Sequence, residues 1–369
     1  MLRDTSIDSS TETFGAHAMP FGDGRHRLLV VACGFNSSFR MGSRRRGAVE
    51  FEMVWHDYVE EAMARVIANK PRERIKEHGG GLRSPWPDPS GRARAIRYVK
   101  IKQLGAGSFG HVFKAINVDT GQLMAIKQLK ASTRVTGRPM VLNDEHYQSF
   151  QRECQALEQL RHKHIVKYLG SQGLGGPQAR LFMGLNDGDL RSLILVHKTK
   201  PKNIYQIFAC TDSPGEVLTS TTISICSSSR SVEHSLYFEK FHSSFPKSTS
   251  PSWLDHLACK GVIHRDLTPS NIFYKLRPDG LILFQITDFG LVGSVGSARN
   301  VWGTLSYTAP ETVAGKPQTC KVDIWAFFVT LMWVLDVNGF REQEVQVKWA
   351  EEAQRLVALG YMSPLLTRV

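Results

Sequence analysis

Residues 261–271, GVIHRDLTPSN, decide the fold of this chain. They set His264, Arg265 and Asp266 in one triplet and return Asn271 five residues after the aspartate. An apolar pair, Val262-Ile263, leads into the stretch, and a second apolar run starts at Ile272. Thr268 is the odd residue, a neutral side chain in the middle of the loop. Two more short runs lie downstream: Asp288-Phe289-Gly290, and GTLSYTAPE over 303–311.

The whole chain has room for such a loop inside a large domain. At 369 residues and 42% hydrophobic it can bury one large core or two smaller ones, so a two-lobed domain with an extension fits. The opening MLRDTSIDSSTETF is polar and acidic without an apolar centre, so no secretory signal is expected. RLLVVACGF (27–35) and VDIWAFFVTLMWVL (322–335) are each too short to span a bilayer, and the second reads as a buried helix. Cysteines stand far apart at 33, 154, 210, 226, 259 and 320, with no CxxC pair and no histidine at zinc spacing, which predicts free thiols in a reducing compartment. The formal charge of +12 would suit nucleic acid or an acidic membrane, but the basic residues are scattered and no aromatic-interleaved patch stands out. A solvated basic surface is the better account, so no nucleic-acid partner and no membrane are expected. The expected location is the cytoplasm, with the nucleus as the alternative if Arg44-Arg45-Arg46 is an address rather than plain surface.

Outward from the loop, the pattern divides the chain. Residues 1–95 read as an N-terminal extension: a Ser/Thr-rich start, a helix predicted over 49–70 from the spacing of Phe51, Val54, Trp55, Tyr58, Ala62 and Val66, and a Gly/Pro linker at 79–91. From Arg97 the pattern becomes strand-like through YVKIKQL, HVFKAINV and LMAIKQL, with a turn at Asp119-Thr120-Gly121. A helix is predicted over 149–162, then two more strands in KHIVKYLG and ARLFMGL. LGAGSFGHV (104–112) fits GxGxxGxV through Gly105, Gly107, Gly110 and Val112, and glycines let backbone amides approach phosphate oxygens. A dinucleotide fingerprint would run from such glycines into a helix; this one runs into the strand-patterned HVFKAI and then into Ala125-Ile126-Lys127.

On these motifs, in this order, residues 97 to about 335 resemble a eukaryotic protein kinase catalytic domain of the Ser/Thr type. The resemblance implies an α+β, bilobal protein kinase-like fold: a five-stranded antiparallel N-lobe sheet with an αC helix, and a mostly helical, shortened C-lobe. It places the kinase-like domain at 96–369, with an N-lobe at 96–186 and a C-lobe at 187–369. The cofactors it implies are ATP and Mg2+, and the partner is a protein substrate with a Ser or Thr acceptor. By resemblance, Lys127 grips the α- and β-phosphates and pairs with Glu153, and Asp266 accepts the proton of the substrate hydroxyl. Asn271 and Asp288 supply hard oxygen ligands to the metal. Leu104, Gly105, Gly107, Gly110, Val112, Ala125, Met183, Leu185 and Phe273 surround the nucleotide, with the hinge through 183–186. GTLSYTAPE lacks the Trp-Met of tyrosine kinases, so Thr304 is expected to face Asp266. Arg265 is the residue that pairs with a phosphorylated loop in many relatives, with Ser297 the candidate phosphosite.

Three departures qualify the resemblance. Thr268 stands where kinases acting on Ser or Thr carry lysine; the missing cation is worth about 2–4 kcal/mol by analogy with lost oxyanion donors, which implies a slow enzyme. Low-complexity sequence at about 211–252, rich in Ser and Thr, interrupts a helix expected to join KNIYQIFAC to WLDHLACKG; it is either a looped-out insertion or translated intron. Ala326-Phe327-Phe328 replaces Ser-x-Gly after Asp323-Ile324-Trp325, and few residues follow; Arg368 is the stand-in for the arginine that Glu311 needs. The alternative function is therefore a pseudokinase serving as a nucleotide-binding scaffold, and residues 1–95 are a candidate surface for a regulatory partner.

Overall fold

The computed structural model describes residues 2–4, 11–15, 18–21, 28–32, 35–42, 47–54, 95–106, 110–129, 145–176, 178–196, 252–295 and 303–361. Gly107, Ser297, Arg368, the 79–91 linker, the segment KNIYQIFAC and all of the 211–252 stretch but Ser252 lie outside them. The chain divides into two compact units, Met1–Ala131 with Leu169–Leu185, and Ser132–Tyr168 with Asn186–Val369.

In the first unit, β1 (Leu2–Arg3) pairs with β3 (Leu28–Leu29), and β2 (Glu12–Phe14), β4 (Ser38–Met41) and β5 (Val49–Glu52) form a three-stranded sheet. The helix expected over 49–70 is thus a strand at its start, and its remainder from Trp55 on lies outside the described residues. Val-Glu-Phe-Glu alternates with period two, which suits a strand. Pairing with β4 decides the matter: Phe51 stacks on Phe39 at 5.4 Å, and Arg40 bonds Glu50 on the other face.

The larger sheet runs in the order β6 (Tyr98–Ala106), β7 (Gly110–Asn117), β8 (Leu123–Leu129), β10 (Arg180–Gly184), β9 (Tyr168–Gln172). The β6–β7, β7–β8 and β8–β10 pairs are antiparallel. Ala115, Met124, Ile126 and Phe182 fill the core on one face. Gly110 is required at the start of β7, because a Cβ there would stand 2.2 Å from the Gln128 carbonyl oxygen.

The second unit is mostly helical: α1 (Glu145–Gln159), α2 (Leu190–Leu195), α3 (Ser252–Cys259), α4 (Pro310–Val313), α5 (Lys321–Leu335), α6 (Phe340–Gln346) and α7 (Ala350–Tyr361). Small sheets join β11 (Gly188–Asp189) to β13 (Ile272–Leu276) and β14 (Ile282–Ile286), and β12 (Val262–Ile263) to β15 (Gly293–Ser294). The β13–β14 hairpin turns at Pro278-Asp279-Gly280, where Asp279 Oδ1 accepts from Leu281 N and Gly280 takes φ +80°. Among the described residues no single helix is long and apolar enough to cross a membrane.

Candidate active site

The site in the second unit is built on α5. Its sequence, KVDIWAFFVTLMWVL, is apolar almost all round, so it is buried on nearly every side, with Val329, Met332 and Trp333 at 1% exposure or less. Two polar residues inside that run, Asp323 and Thr330, are just as buried. Asp323 Oδ2 accepts from His264 N at 2.8 Å and Oδ1 from Arg265 N at 2.9 Å. Burial pushes the Asp323 carboxyl up; these two N–H bonds and the charge of Arg265 oppose it. Asp323 thus fastens the 264–271 loop to the helix through two backbone N–H groups, one on each carboxylate oxygen.

His264 is fully buried. Its Nδ1 accepts from Asp266 N at 3.2 Å, which assigns the proton to Nε2 and lets it donate to the Thr287 carbonyl at 2.9 Å. The ring meets the edge of Phe289 at 4.6 Å. His264 therefore ties the 264–271 loop to the Asp288-Phe289-Gly290 turn. Ser149 on α1 holds the same turn, its Oγ donating to the Gly290 carbonyl at 2.7 Å.

Asp266 is held from two sides. Asn271 Nδ2 donates to its Oδ2 and to its carbonyl, both at 2.8 Å. Thr304 donates to Oδ1 through its backbone N at 3.0 Å and its Oγ1 at 2.8 Å. The 303–304 segment comes this close because residue 303 is glycine: a Cβ there would lie 2.4 Å from the Arg265 carbonyl oxygen. Thr268 is 6% exposed, and its carbonyl accepts from Asn271 N at 3.0 Å.

Asn271 and Asp288 stand at one end of the β13–β14 hairpin, since Ile272 pairs with Ile286 and Thr287 N donates to the Asn271 carbonyl. Asn271 spends its amide nitrogen on Asp266, which leaves the side-chain oxygen as its ligand atom. An amide oxygen and a carboxylate are the hard donors that Mg2+ takes while keeping water and phosphate oxygens, so these residues fit that ion. Arg265 (φ 72°) and Asp288 (φ 61°) are two of the five non-glycine residues in the left-handed region among those described. Each conformation costs about 1–2 kcal/mol; Arg265 directly precedes Asp266, and Asp288 is one of the two candidate metal ligands.

In the first unit, register collects predicted residues on one sheet face. Val112 pairs with Lys127, Lys127 with Leu181, and Ala125 with Met183. Directly paired residues and residues two apart share a face, so Val112, Ala125, Lys127 and Met183 line one side. Gly105 pairs with Val112, Leu104 is exposed, and Leu185 follows β10 half-buried. Phe273 belongs to the second unit, paired with Asp189, and Glu153 is buried in α1 there. Sequence reasoning gave no individual role to His264, Ser149, Gly303 or Thr330. A polar residue seven positions after Asp323 in an apolar helix was the available signal for Thr330.

Comparison with known proteins places this geometry. Residues 98–360 match the protein kinase domain family. The chain is 26% identical over 274 residues to the Aspergillus fumigatus mitogen-activated protein kinase kinase kinase bck1, covering 70% of this chain and 14% of that one. It is 25% identical over 292 residues to mitogen-activated protein kinase kinase kinase 3 of Arabidopsis thaliana, covering 76% of this chain and 35% of that one. The inhibitor of nuclear factor kappa-B kinase subunit alpha of Danio rerio is 26% identical over 244 residues, 62% of this chain and 26% of that one. The chain thus spans about a third or less of the length of these relatives.

Proposed function

The chain belongs to the protein kinase family, and from that premise we propose that it transfers the γ-phosphate of Mg-ATP to a serine or threonine hydroxyl of a protein substrate. The observation that carries this reading is the doubly held Asp266 carboxylate, with Asn271 on one oxygen and Thr304 on the other. A carboxylate so fixed is placed to orient a hydroxyl and take its proton.

In the proposed reaction the substrate oxygen bonds to the γ-phosphorus and the bond from that phosphorus to the β–γ bridging oxygen breaks. Asp266 receives the hydroxyl proton, and ADP leaves. Bound magnesium would neutralise charge on the β- and γ-phosphates, held by Asn271 and Asp288. Lys127 supplies a cation for the α- and β-phosphates, and Glu153 is the carboxylate that the family pattern assigns to it. The family pattern assigns the glycines of LGAGSFGHV to the phosphates through their backbone N–H groups, and it assigns Leu104, Val112, Ala125, Met183, Leu185 and Phe273 to the adenine. Thr304 fixes Asp266 and belongs to the segment that receives the substrate, and Arg265 is the cation available to a modified loop. Two of the three relatives are named as kinases of a kinase kinase, so a downstream protein kinase is the first substrate to try. Residues 1–95 are the proposed seat of a regulatory partner, and the cytoplasm the proposed location.

The test is transfer of labelled γ-phosphate by the full chain, onto itself and onto a generic Ser/Thr substrate. Asp266→Asn should lower the rate by about 10²–10⁴-fold. A wild type no faster than that variant overturns the reading.

A further inference from the structure

Three consecutive carbonyls around Asp266 are each held by a different donor. The Asp266 carbonyl accepts from Asn271 Nδ2 at 2.8 Å, and the Thr268 carbonyl from Asn271 N at 3.0 Å. Both bonds are local, made by the loop to itself. The carbonyl between them, that of Leu267, accepts from Thr330 Oγ1 at 3.0 Å, in a fully buried setting. That bond is the loop's tie to α5 on the C-terminal side of Asp266, as the Asp323 bonds to His264 N and Arg265 N are on the N-terminal side.

Asp323 and Thr330 are seven residues apart, which is nearly two helical turns, so they share one face of α5 and stand about 10 Å apart along its axis. The two clamps therefore bracket Asp266 on a rigid base. A threonine within a helix commonly returns its hydroxyl to the carbonyl one turn back; Thr330 reaches across to the loop. The peptide between Leu267 and Thr268 is then fixed in rotation, with the Leu267 oxygen toward the helix. Fixing it sets the exit direction of the chain from Asp266 and carries Thr268 inward, where the residue is 6% exposed.

We propose that Thr330 is a positioning residue of the phosphoryl-transfer site, its hydroxyl holding Asp266 in register through the Leu267 carbonyl. The proposal rests on the kinase reading above. Thr330 touches no reacting atom, so its effect belongs to kcat: a misplaced base changes the transition state more than it changes nucleotide binding.

Threonine offers a clean comparison. Thr330→Val keeps the branched shape and removes only the donor, whereas Thr330→Ser keeps the donor and removes a methyl. With the full chain and Mg-ATP, Thr330→Val should lower kcat by about ten- to a hundredfold, since a misplacement of about 1 Å is worth about that much. KM for ATP should stay within about twofold, and Thr330→Ser should stay within a few-fold of wild type on both. A general loss of folding would instead lower the active fraction of both variants. Backbone amide exchange supplies a readout that does not need activity: Thr330→Val should speed exchange at residues 266–271 and leave β13 and α5 protected. If Thr330→Val does not accumulate as a folded protein, Thr330→Cys keeps the volume with a weak donor and should give an intermediate kcat. Wild-type kcat in a folded Thr330→Val with unchanged exchange overturns the proposal. A wild type no faster than Asp266→Asn overturns the kinase reading instead, and exchange at 266–271 then decides the role of Thr330 alone.

Discussion

Thr268 poses the residue-scale question, and the structure changes its terms. The position usually held by lysine is here 6% exposed, beside a carbonyl that Asn271 N holds. The loop therefore keeps its backbone geometry without the cation; what is absent is charge, not shape. Thr268→Lys should raise kcat by at least about tenfold, because one cation near a transferring phosphoryl group is worth a few kcal/mol. The added ammonium must reach polar surroundings along its four-carbon stem, which lysine does readily. An unchanged kcat in a folded Thr268→Lys protein would show that the missing lysine does not limit this chain. Asp266, Asn271 and Thr304 were legible in sequence because HRDxxxxN is a local pattern and GTLSYTAPE a contiguous run. The bonds of His264 and Ser149 were not, because their partners, Thr287 and Gly290, lie far along the chain.

At the scale of elements, α5 was legible as a buried helix opening on Asp323-Ile324-Trp325, but the apolar run hid both polar clamps. Short α4 raises a separate electrostatic point. Burial raises the pKa of Glu311 above the ordinary value of 4.5, opposed by its own backbone N–H and by Lys321 and Lys316. The folded state therefore binds this proton more tightly than the unfolded chain does. Below the ordinary value the group contributes no penalty; the penalty grows as pH rises through it and is complete above the folded pKa. Glu311→Gln removes the titration. The variant should match the wild type near about pH 4 and melt at a higher temperature near about pH 7, over the carboxylate range. Thermal midpoints of both proteins across that range check it; a wild-type-to-variant difference that does not change with pH would sink the argument. The strand at Val49–Glu52 shows the opposite case: three- and four-residue spacing over 51–66 favoured a helix, and pairing with Ser38–Met41 won at its start.

At the scale of the molecule, the N-terminal residues are not all an appendage to the large sheet. Leu29 is fully buried and Val30 nearly so, Val30 N donates to the Val118 carbonyl at 3.1 Å, and Arg97 bonds both the Pro20 carbonyl and Asp119. The run RLLVVACGF is too short to span a bilayer. Its length says nothing of where a soluble core would take it in. Leu29→Ala should destabilise the first unit by about 2–4 kcal/mol, the cost of a buried leucine and the cavity it leaves. Denaturant unfolding of the full chain measures this, and a change under about 0.5 kcal/mol, the range of surface substitutions, would mean that residues 28–30 do not share the core of the sheet.

The amino-acid sequence alone determined the family and the identities of the residues that carry charge, because each motif is a few residues long and its spacing survives without any fold. Helix and strand in the larger sheet and in α5 were also set locally, by periodicity and by apolar content. Tertiary structure decided what those residues do to one another: which oxygen of Asp266 meets Asn271 and which meets Thr304, where the Leu267 carbonyl finds a donor, and which early residues enter the core. The physical reason is that a hydrogen bond or a buried contact depends on distance in space. Residues 266 and 304, or 267 and 330, are brought within 3 Å of each other by the packing of the whole unit.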